Sequence, residues 1–221
     1  MKITRYDITL ERLRAEHSEM VRNWRNDQKI SQFMFYKGEI TADMQRDWFA
    51  SIDNEQNFFF IIVYKSVPVG LINISSIDWD NKTAYTGLFI YEEKFWGSDV
   101  PVMASLAMLD VFFLLFDIQS VYAKVKGNNL VAHNYNSALG FSRTKKIEYS
   151  LGYEYMLQKE IYLLETKELR NAAIRLKGNG TLIELSNEVT VDTWIEERLA
   201  KARKEVVRNL DVKVIVTSNT L

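Results

Sequence analysis

Residues 57–91 read NFFFIIVYKSVPVGLINISSIDWDNKTAYTGLFIY, and this stretch decides the fold. Asn57–Tyr64 and Val67–Ser76 are apolar runs rich in β-branched and aromatic residues, separated only by Lys65-Ser66. That spacing is the length of a tight hairpin turn. Thr83–Tyr91 is a third such run, set off by the turn residues Asp80-Asn81-Lys82. Three sequential strands with short connections make an antiparallel meander, which excludes an all-helical fold.

Downstream, Pro101–Phe116 predicts a long buried helix of Ala, Leu, Met and Phe, and Ser120–Lys126 a further strand. Asn129–Leu139 reads as a helix closed by Gly140, a C′ residue in the left-handed conformation that glycine adopts at little cost. Two strands, Ser142–Tyr149 and Tyr155–Glu165, complete the unit. Upstream, Ile3–Thr9 is a strand candidate, and Leu10, Leu13, His17, Val21 and Trp24 form a stripe at helical spacing. On that stripe His17 reads as structural. After Trp24-Arg25-Asn26-Asp27 comes an aromatic cluster, Phe33, Met34, Phe35 and Tyr36. Thr41 then predicts the N-cap of a helix over Ala42–Ile52 with Trp48 and Phe49 turned inward.

The character changes after Leu169, dividing the chain into a main domain, 1–169, and an extension, 170–221. The extension holds a strand Thr181–Leu185, a charged helix Thr193–Asn209 and a strand Val212–Val216. The helix has a capping box, Thr193 with Glu196, and an apolar stripe of Trp194, Leu199, Ala202 and Val206. These pieces cannot bury themselves alone, so they pack on the main domain or on a second subunit, as a lid over the site or as a homodimer contact.

Composition narrows the function. Lys and Arg number 28 against 29 Asp and Glu among 221 residues, a net charge of -1, which argues against a nucleic-acid partner. With no cysteine and two histidines, thiolate chemistry and a cysteine- or histidine-rich metal centre are excluded, and no metal is expected. The most apolar stretch, Val100–Phe116, carries Pro101, Ser105 and Asp110 and is too short to span a bilayer. The N-terminus has no apolar targeting core. The expectation is a soluble, cytoplasmic protein with no membrane partner.

Several short motifs then add up. WRND at Trp24–Asp27 followed by Phe33-Met34-Phe35, the Trp48-Phe49 pair, Val69-Gly70, Gly87 with Ile90-Tyr91, and Asn129…Ala132…Leu139-Gly140-Phe141 occur in a fixed order over residues 1–165. Together with the element order they resemble the GNAT N-acetyltransferases. Two branches are most similar: the sugar-nucleotide N-acetyltransferases of pseudaminic-acid-type pathways and the ribosomal-protein Nα-acetyltransferases. The resemblance implies an α/β (α+β) fold, a mixed, mostly antiparallel twisted sheet flanked by helices with a short α/β C-terminal extension. It implies acetyl-CoA as co-substrate and a primary amine as acceptor, first a small molecule such as a nucleotide-linked amino sugar, second a protein N-terminus.

The same resemblance places the site. The strand ending at Phe89, Ile90 and Tyr91 would part from Ser120–Lys126 and offer backbone groups to pantetheine. The loop Trp96, Gly97, Ser98, Asp99, Val100 would face the diphosphate at a helix N-terminus, with Asn129 nearby. In this loop the family's two glycine positions hold Asp99 and Pro101. The tyrosine that protonates the leaving thiolate in many relatives falls at Asn136, with Tyr135 adjacent as the substitute. A general base is sought among Asp78, Asp80, Glu92 and Glu93. Asn73 is placed to orient the substrate, and Lys124 to pair with a substrate anion or serve as an edge lysine. Arg25, Asn26 and Trp48 are the acceptor-binding candidates, Arg25 as a diphosphate clamp. The changed loop and displaced tyrosine keep one further reading open, a GNAT-fold binding module without catalysis.

Overall fold

The computed structural model describes residues 1–147, 151–186, 190–201 and 210–217. Strand β1 (Lys2–Arg5) turns into β2 (Ile8–Arg12), followed by helices α1 (Ser18–Asn26), α2 (Gln28–Ser31) and α3 (Ala42–Ile52). The meander β3 (Phe58–Tyr64), β4 (Val67–Asp78) and β5 (Thr83–Ile90) comes next. Helix α4 (Val100–Asp110) runs into a π turn over Val111–Leu115, then β6 (Ser120–Lys126), α5 (Leu130–Ala138), β7 (Ser142–Ile147) and β8 (Gly152–Gln158). The chain closes with α6 (Lys159–Glu165), α7 (Lys167–Lys177), β9 (Thr181–Ser186), α8 (Thr190–Lys201) and β10 (Val212–Thr217). All ten strands share one sheet in the order β10-β9-β1-β2-β3-β4-β5-β6-β8-β7. Only β9–β10 and β5–β6 are parallel. The expected mixed, mostly antiparallel α/β architecture is therefore the one observed.

Strand alternation splits the sheet into two faces. On one, Phe58, Phe60, Ile72 and Ile74 bury against Leu106, Phe112 and Phe113 of α4 and its π turn. On the other, Ile61 and Leu71 meet Val21 and Trp24 of α1, with Trp48 and Phe49 of α3 packed against them. The Lys65-Ser66 turn carries φ of 49° and 62°, the pair of positive values that a two-residue type I′ hairpin requires. Thr41 caps α3 through its side chain to the Met44 N–H at 3.2 Å.

Several elements differ from the sequence expectation, each for a local reason. Ile3–Thr9 is two strands, because Tyr6 and Asp7 both take positive φ (57° and 61°) and turn the chain back. Leu10 accordingly belongs to β2 and Leu13 follows directly after it, its N–H bonding Phe59 O at 2.7 Å, and the helix begins only at Ser18. Residues 155–165 are not one strand: β8 ends at Gln158, and Lys159–Glu165 winds into α6. Thr193 is not a cap, since α8 already starts at Thr190. Of its apolar stripe, Ala202 and Val206 lie outside the described residues, as do Glu148 to Ser150 of the expected strand Ser142–Tyr149.

The extension takes the main domain as its partner surface. Strand β9 pairs antiparallel with β1, Ile3 opposite Ile183, and β10 pairs with β9. Ile195 and Leu199 of α8 join the α4-side core, and Trp194 lies 4.9 Å from Trp79 with Arg198 over both rings. Strands β1, β2, β3 and β4 separate β9 and β10 from β5.

One buried polar cluster holds the α4 side together. Arg5 donates from Nε to Asp110 Oδ2 at 3.0 Å, and its far nitrogens reach Thr181 Oγ1 at 2.8 Å and the Asn179 carbonyl. Tyr6 and Tyr162 each donate a hydroxyl to Asp110 at 2.8 Å. Burial, reinforced by that carboxylate, pushes both phenols well above the usual tyrosine range. The Arg5 and Asp110 side chains are 1% and 0% exposed, so removing one strands the other's charge without water. Arg5→Met is expected to cost about 3–5 kcal/mol of stability in urea unfolding, whereas loss of the exposed pair Arg46–Asp43 should cost no more than about 1 kcal/mol.

Candidate active site

The sheet opens between β5 and β6. They pair only over Thr83–Thr86 and Ser120–Ala123. Beyond that point β5 keeps β4 as its sole neighbour, while β6 continues along β8 as far as Lys126 opposite Gly152. A V-shaped gap results, with its vertex at Thr86 and Ala123. Gly87 is the first residue past the vertex; a Cβ there would stand 3.0 Å from Asn73 Oδ1. The Tyr91 N–H bonds back to Val69 O on β4 at 2.8 Å, so backbone alternation turns the Ile90 amide and carbonyl toward the gap. The Ile90 carbonyl accepts the Trp96 indole N–H at 2.9 Å. The side chains of Phe89 and Tyr91 go the other way, onto Trp24, edge-on at 6.2 Å and stacked at 5.2 Å.

The loop into α4 flanks the gap. Gly97 has φ of 74° with nothing near its Cβ position, an open turn that glycine makes without strain. Ser98 is turned inward: its N–H and hydroxyl both donate to Phe95 O, at 3.1 and 2.8 Å, and its oxygen accepts the Val100 N–H at 3.2 Å. Asp99 occupies the N-cap position without a capping bond and is exposed. An edge strand with backbone groups facing a gap, beside a glycine turn and a helix N-terminus, fits the pantetheine and diphosphate of a CoA thioester. No group of three or more metal-ligating side chains occurs among the described residues.

The other sequence candidates spread over three places. On α5, the Asn129 side chain caps the helix through the Ala132 N–H at 3.1 Å. Tyr135 donates its hydroxyl to Pro101 O at 2.8 Å and lies 2.7 Å from Ser105 Oγ, which ties α5 to the first turn of α4. Burial pushes that phenol far above the ordinary tyrosine value. Asn136 is half-buried beside it. Asp78 stands at the paired end of β5, opposite Thr83, where Asp80 N–H, Asn81 N–H and the Asn81 amide all donate to it. Those bonds, Asn81 first, hold its carboxyl below the usual aspartate range. Near α1, the Asn26 amide clamps the Ile40 backbone from both sides at 2.9 Å. Arg25 lies over the Trp48 ring at 4.9 Å and reaches Gln45 at 3.4 Å.

Comparison with known proteins agrees with this geometry. An acetyltransferase (GNAT) domain matches residues 7–142. The chain belongs to the GNAT acetyltransferase family. Among solved structures it is similar to a spermidine N-acetyltransferase from Vibrio cholerae in complex with CoA and spermine (17% identity, TM-score 0.64, 71% of this chain and 98% of that one). It is also similar to a ribosomal L7/L12 alpha-N-protein acetyltransferase in complex with coenzyme A (14%, TM-score 0.61, 69% and 94%) and to a domain from Methanocaldococcus jannaschii (20%, TM-score 0.60, 68% and 97%). No curated protein matches the chain in sequence.

In this acetyltransferase, Asn73 and Gly87 stand at the vertex, Ile90 and Trp96 along the open edge, and Asp78 at the far, paired end. Sequence reasoning missed the floor beside the vertex on the α1 face. There Tyr85 and Tyr122 lie ring to ring at 5.6 Å, and Tyr85 donates to Glu154 Oε2 at 3.1 Å. Lys124 sits over the Tyr85 ring at 4.7 Å. Farther out, the Lys37 and Lys126 ammonium groups converge on the Gln32 carbonyl at 2.9 and 3.0 Å, beside Phe35 packed on Gly152. The one available signal was Glu154 flanked by tyrosines in GYEYMLQ, but a strand drawn from Tyr155 begins one residue too late to include it. Because the Tyr135 hydroxyl is spent on α4, Tyr135→Phe is expected to cost about 1 kcal/mol of stability and to lower the acetyl-transfer rate less than threefold. A loss of about a hundredfold or more in kcat at unchanged stability would instead make it the acid.

Proposed function

We propose that this enzyme transfers the acetyl group of acetyl-CoA to the primary amine of a small molecule that also carries negative charge, a nucleotide-linked amino sugar being the best fit. The observation that carries the reading is the lysine pair. Lys37 and Lys126 crowd one carbonyl oxygen, and neither meets a carboxylate among the described residues. The Lys126 ammonium, then burial, pull the Lys37 pKa down, the mark of two like charges held together. A diphosphate between them would relieve that repulsion. Around them Phe33, Phe35 and Tyr36 expose their rings, 39%, 38% and 47%, which suits stacking on a base or a sugar. A polycation such as spermidine would be repelled at the same place.

The remaining roles follow from position. When bound, acetyl-CoA would supply its acetyl group as a thioester: the amine nitrogen forms the amide bond to the acetyl carbon, the C–S bond breaks with its electron pair leaving on sulfur, and the proton lost by the amine passes to the thiolate or to solvent. The Ile90 amide and the loop at Gly97 are the groups we assign to that co-substrate. Asn73, bonded to Ser75 Oγ at 2.9 Å, orients the acceptor at the vertex. Asn26 holds the loop that carries Lys37, and Arg25 with Trp48 forms the wall behind it.

Calorimetry with acetyl-CoA is expected to show micromolar binding. With donor bound, turnover of UDP-glucosamine, as a representative amino-sugar nucleotide, should exceed that of spermidine and of a short peptide with a free N-terminus. Lys37→Ala/Lys126→Ala should raise KM for the nucleotide substrate about tenfold or more and leave acetyl-CoA affinity as it was. Faster turnover of spermidine or of the peptide would refute the acceptor class; absence of CoA binding at millimolar ligand would refute the donor.

A further inference from the structure

Glu154 is the carboxylate most deeply placed on the acceptor side of the sheet. Its side chain is 6% exposed, on the middle strand of the β6-β8-β7 set, directly opposite Lys124. Oε2 accepts from the Tyr85 hydroxyl, and Oε1 holds the ammonium of Lys145 at 3.2 Å. Lys145 is an unequal partner, 67% exposed, reaching in from the edge strand β7 with its stem in water. An acid this buried is costly to keep unless a cation covers it. Here the covering cation comes from solvent on a long flexible arm, the Tyr85 hydroxyl holds the other carboxylate oxygen, and Lys124, opposite on β6, lies over the Tyr85 ring at 4.7 Å without pairing with the acid.

A carboxylate and an aromatic pair together are how proteins recognise ammonium groups. The location is also telling. Tyr85 lies one residue before Thr86, where β5 and β6 part, and its hydroxyl reaches across β6 to the carboxylate on β8. Glu154 lies two residues from Gly152 on β8, and Gly152 is opposite Lys126, so the acid and one member of the lysine pair spring from backbone positions about 7 Å apart along the strands. Acid and lysine pair thus share the α1 face of β6 and β8, as a molecule carrying both an amine and an anion requires.

We infer that Glu154, with Tyr85 and Tyr122, is a cationic amine subsite, and that the Lys145 ammonium is an internal stand-in that the acceptor's own ammonium displaces. The inference rests on the amine-acceptor reading above and adds to it the group that recognises the amine. Desolvation and the Glu154 contact raise the Tyr85 pKa, keeping it a donor to the carboxylate while the amine exchanges. Lys145 then acts as a competitor: it lowers the affinity for amines while keeping the empty site neutral.

The test uses the full-length protein and n-butylammonium chloride, titrated at constant ionic strength against potassium chloride and followed by NMR. Wild type is expected to bind saturably in the millimolar range. Lys145→Ala should bind about fivefold tighter, the worth of one exposed ion pair, and Glu154→Gln should lose saturable binding. Equal affinity in all three proteins, or weaker binding by Lys145→Ala, would overturn the inference. Because Lys145→Ala uncovers a buried carboxylate, melting curves of both variants are recorded with and without n-butylammonium, and a larger ligand-induced rise in Tm for Lys145→Ala than for wild type reads the same gain in affinity. Acetyl-CoA is absent from this titration, so failure of the acetyl-transfer reading leaves the result interpretable. Conversely, turnover of an amino-sugar nucleotide by Glu154→Gln at the wild-type KM would overturn the subsite and leave the function standing.

Discussion

The site depends on one constraint: β5 cannot follow β6 beyond Ala123. β6 keeps its hydrogen bonds to β8 along its whole length, while the far half of β5 is drawn the other way. Three contacts draw it. The Tyr91 amide is tied to Val69 on β4, the Tyr91 ring is stacked on Trp24 of α1, and the Tyr91 hydroxyl donates to Asp27 at 3.2 Å. The gap is thus held open by packing on the α1 face. Backbone groups left without a strand partner are costly in a sheet interior, so a fold retains them where a ligand or a side chain such as Trp96 satisfies them.

Because side chains alternate across a strand, that gap presents two different surfaces on its two sides. Leu88 and Ile90 join the apolar α4 face, beside the helix end and glycine turn assigned to the donor. Tyr85, Tyr122, Lys124 and Glu154 line the α1 face, where polar and aromatic groups meet. Charge is unevenly spread along that face as well, with Glu154 beside Lys124 and Lys145, and Lys37 and Lys126 farther out without a carboxylate among the described residues. A net charge of -1 over the chain conceals this local separation entirely.

Legibility in the sequence follows from how local each signal is. The Lys65-Ser66 hairpin, the Thr41 cap and Gly140 after α5, with φ of 92°, are settled within a few residues, and all three are readable. The Tyr6-Asp7 turn is not, because Ile3–Thr9 reads as one run, Tyr6-Asp7 not being an all-polar pair like Lys65-Ser66; Arg5 and Tyr6, both bonded to Asp110, anchor it. The β8–α6 junction misleads because LQKEIYLLE is equally acceptable as a strand by composition. The floor of the acceptor side was illegible for a different reason. Tyr85 and Glu154 are 69 residues apart, and Lys37 and Lys126 are farther apart still, so only the sheet register brings them together.

The Arg5 cluster bears on the order in which the chain becomes native. Its acceptors lie at Asp110, Asn179 and Thr181, separated from Arg5 by 105, 174 and 176 residues. During synthesis β1 can find β2 at once, but its outer edge stays bare until β9, whose Thr181 is 176 residues beyond Arg5, has emerged. Until then the nascent protein presents an unpaired strand and an arginine still in water, a state open to pairing with other chains. Asn179, Thr181 and β9 thus act as a latch, and the acetyltransferase core they close reaches its final form only after they have been synthesised.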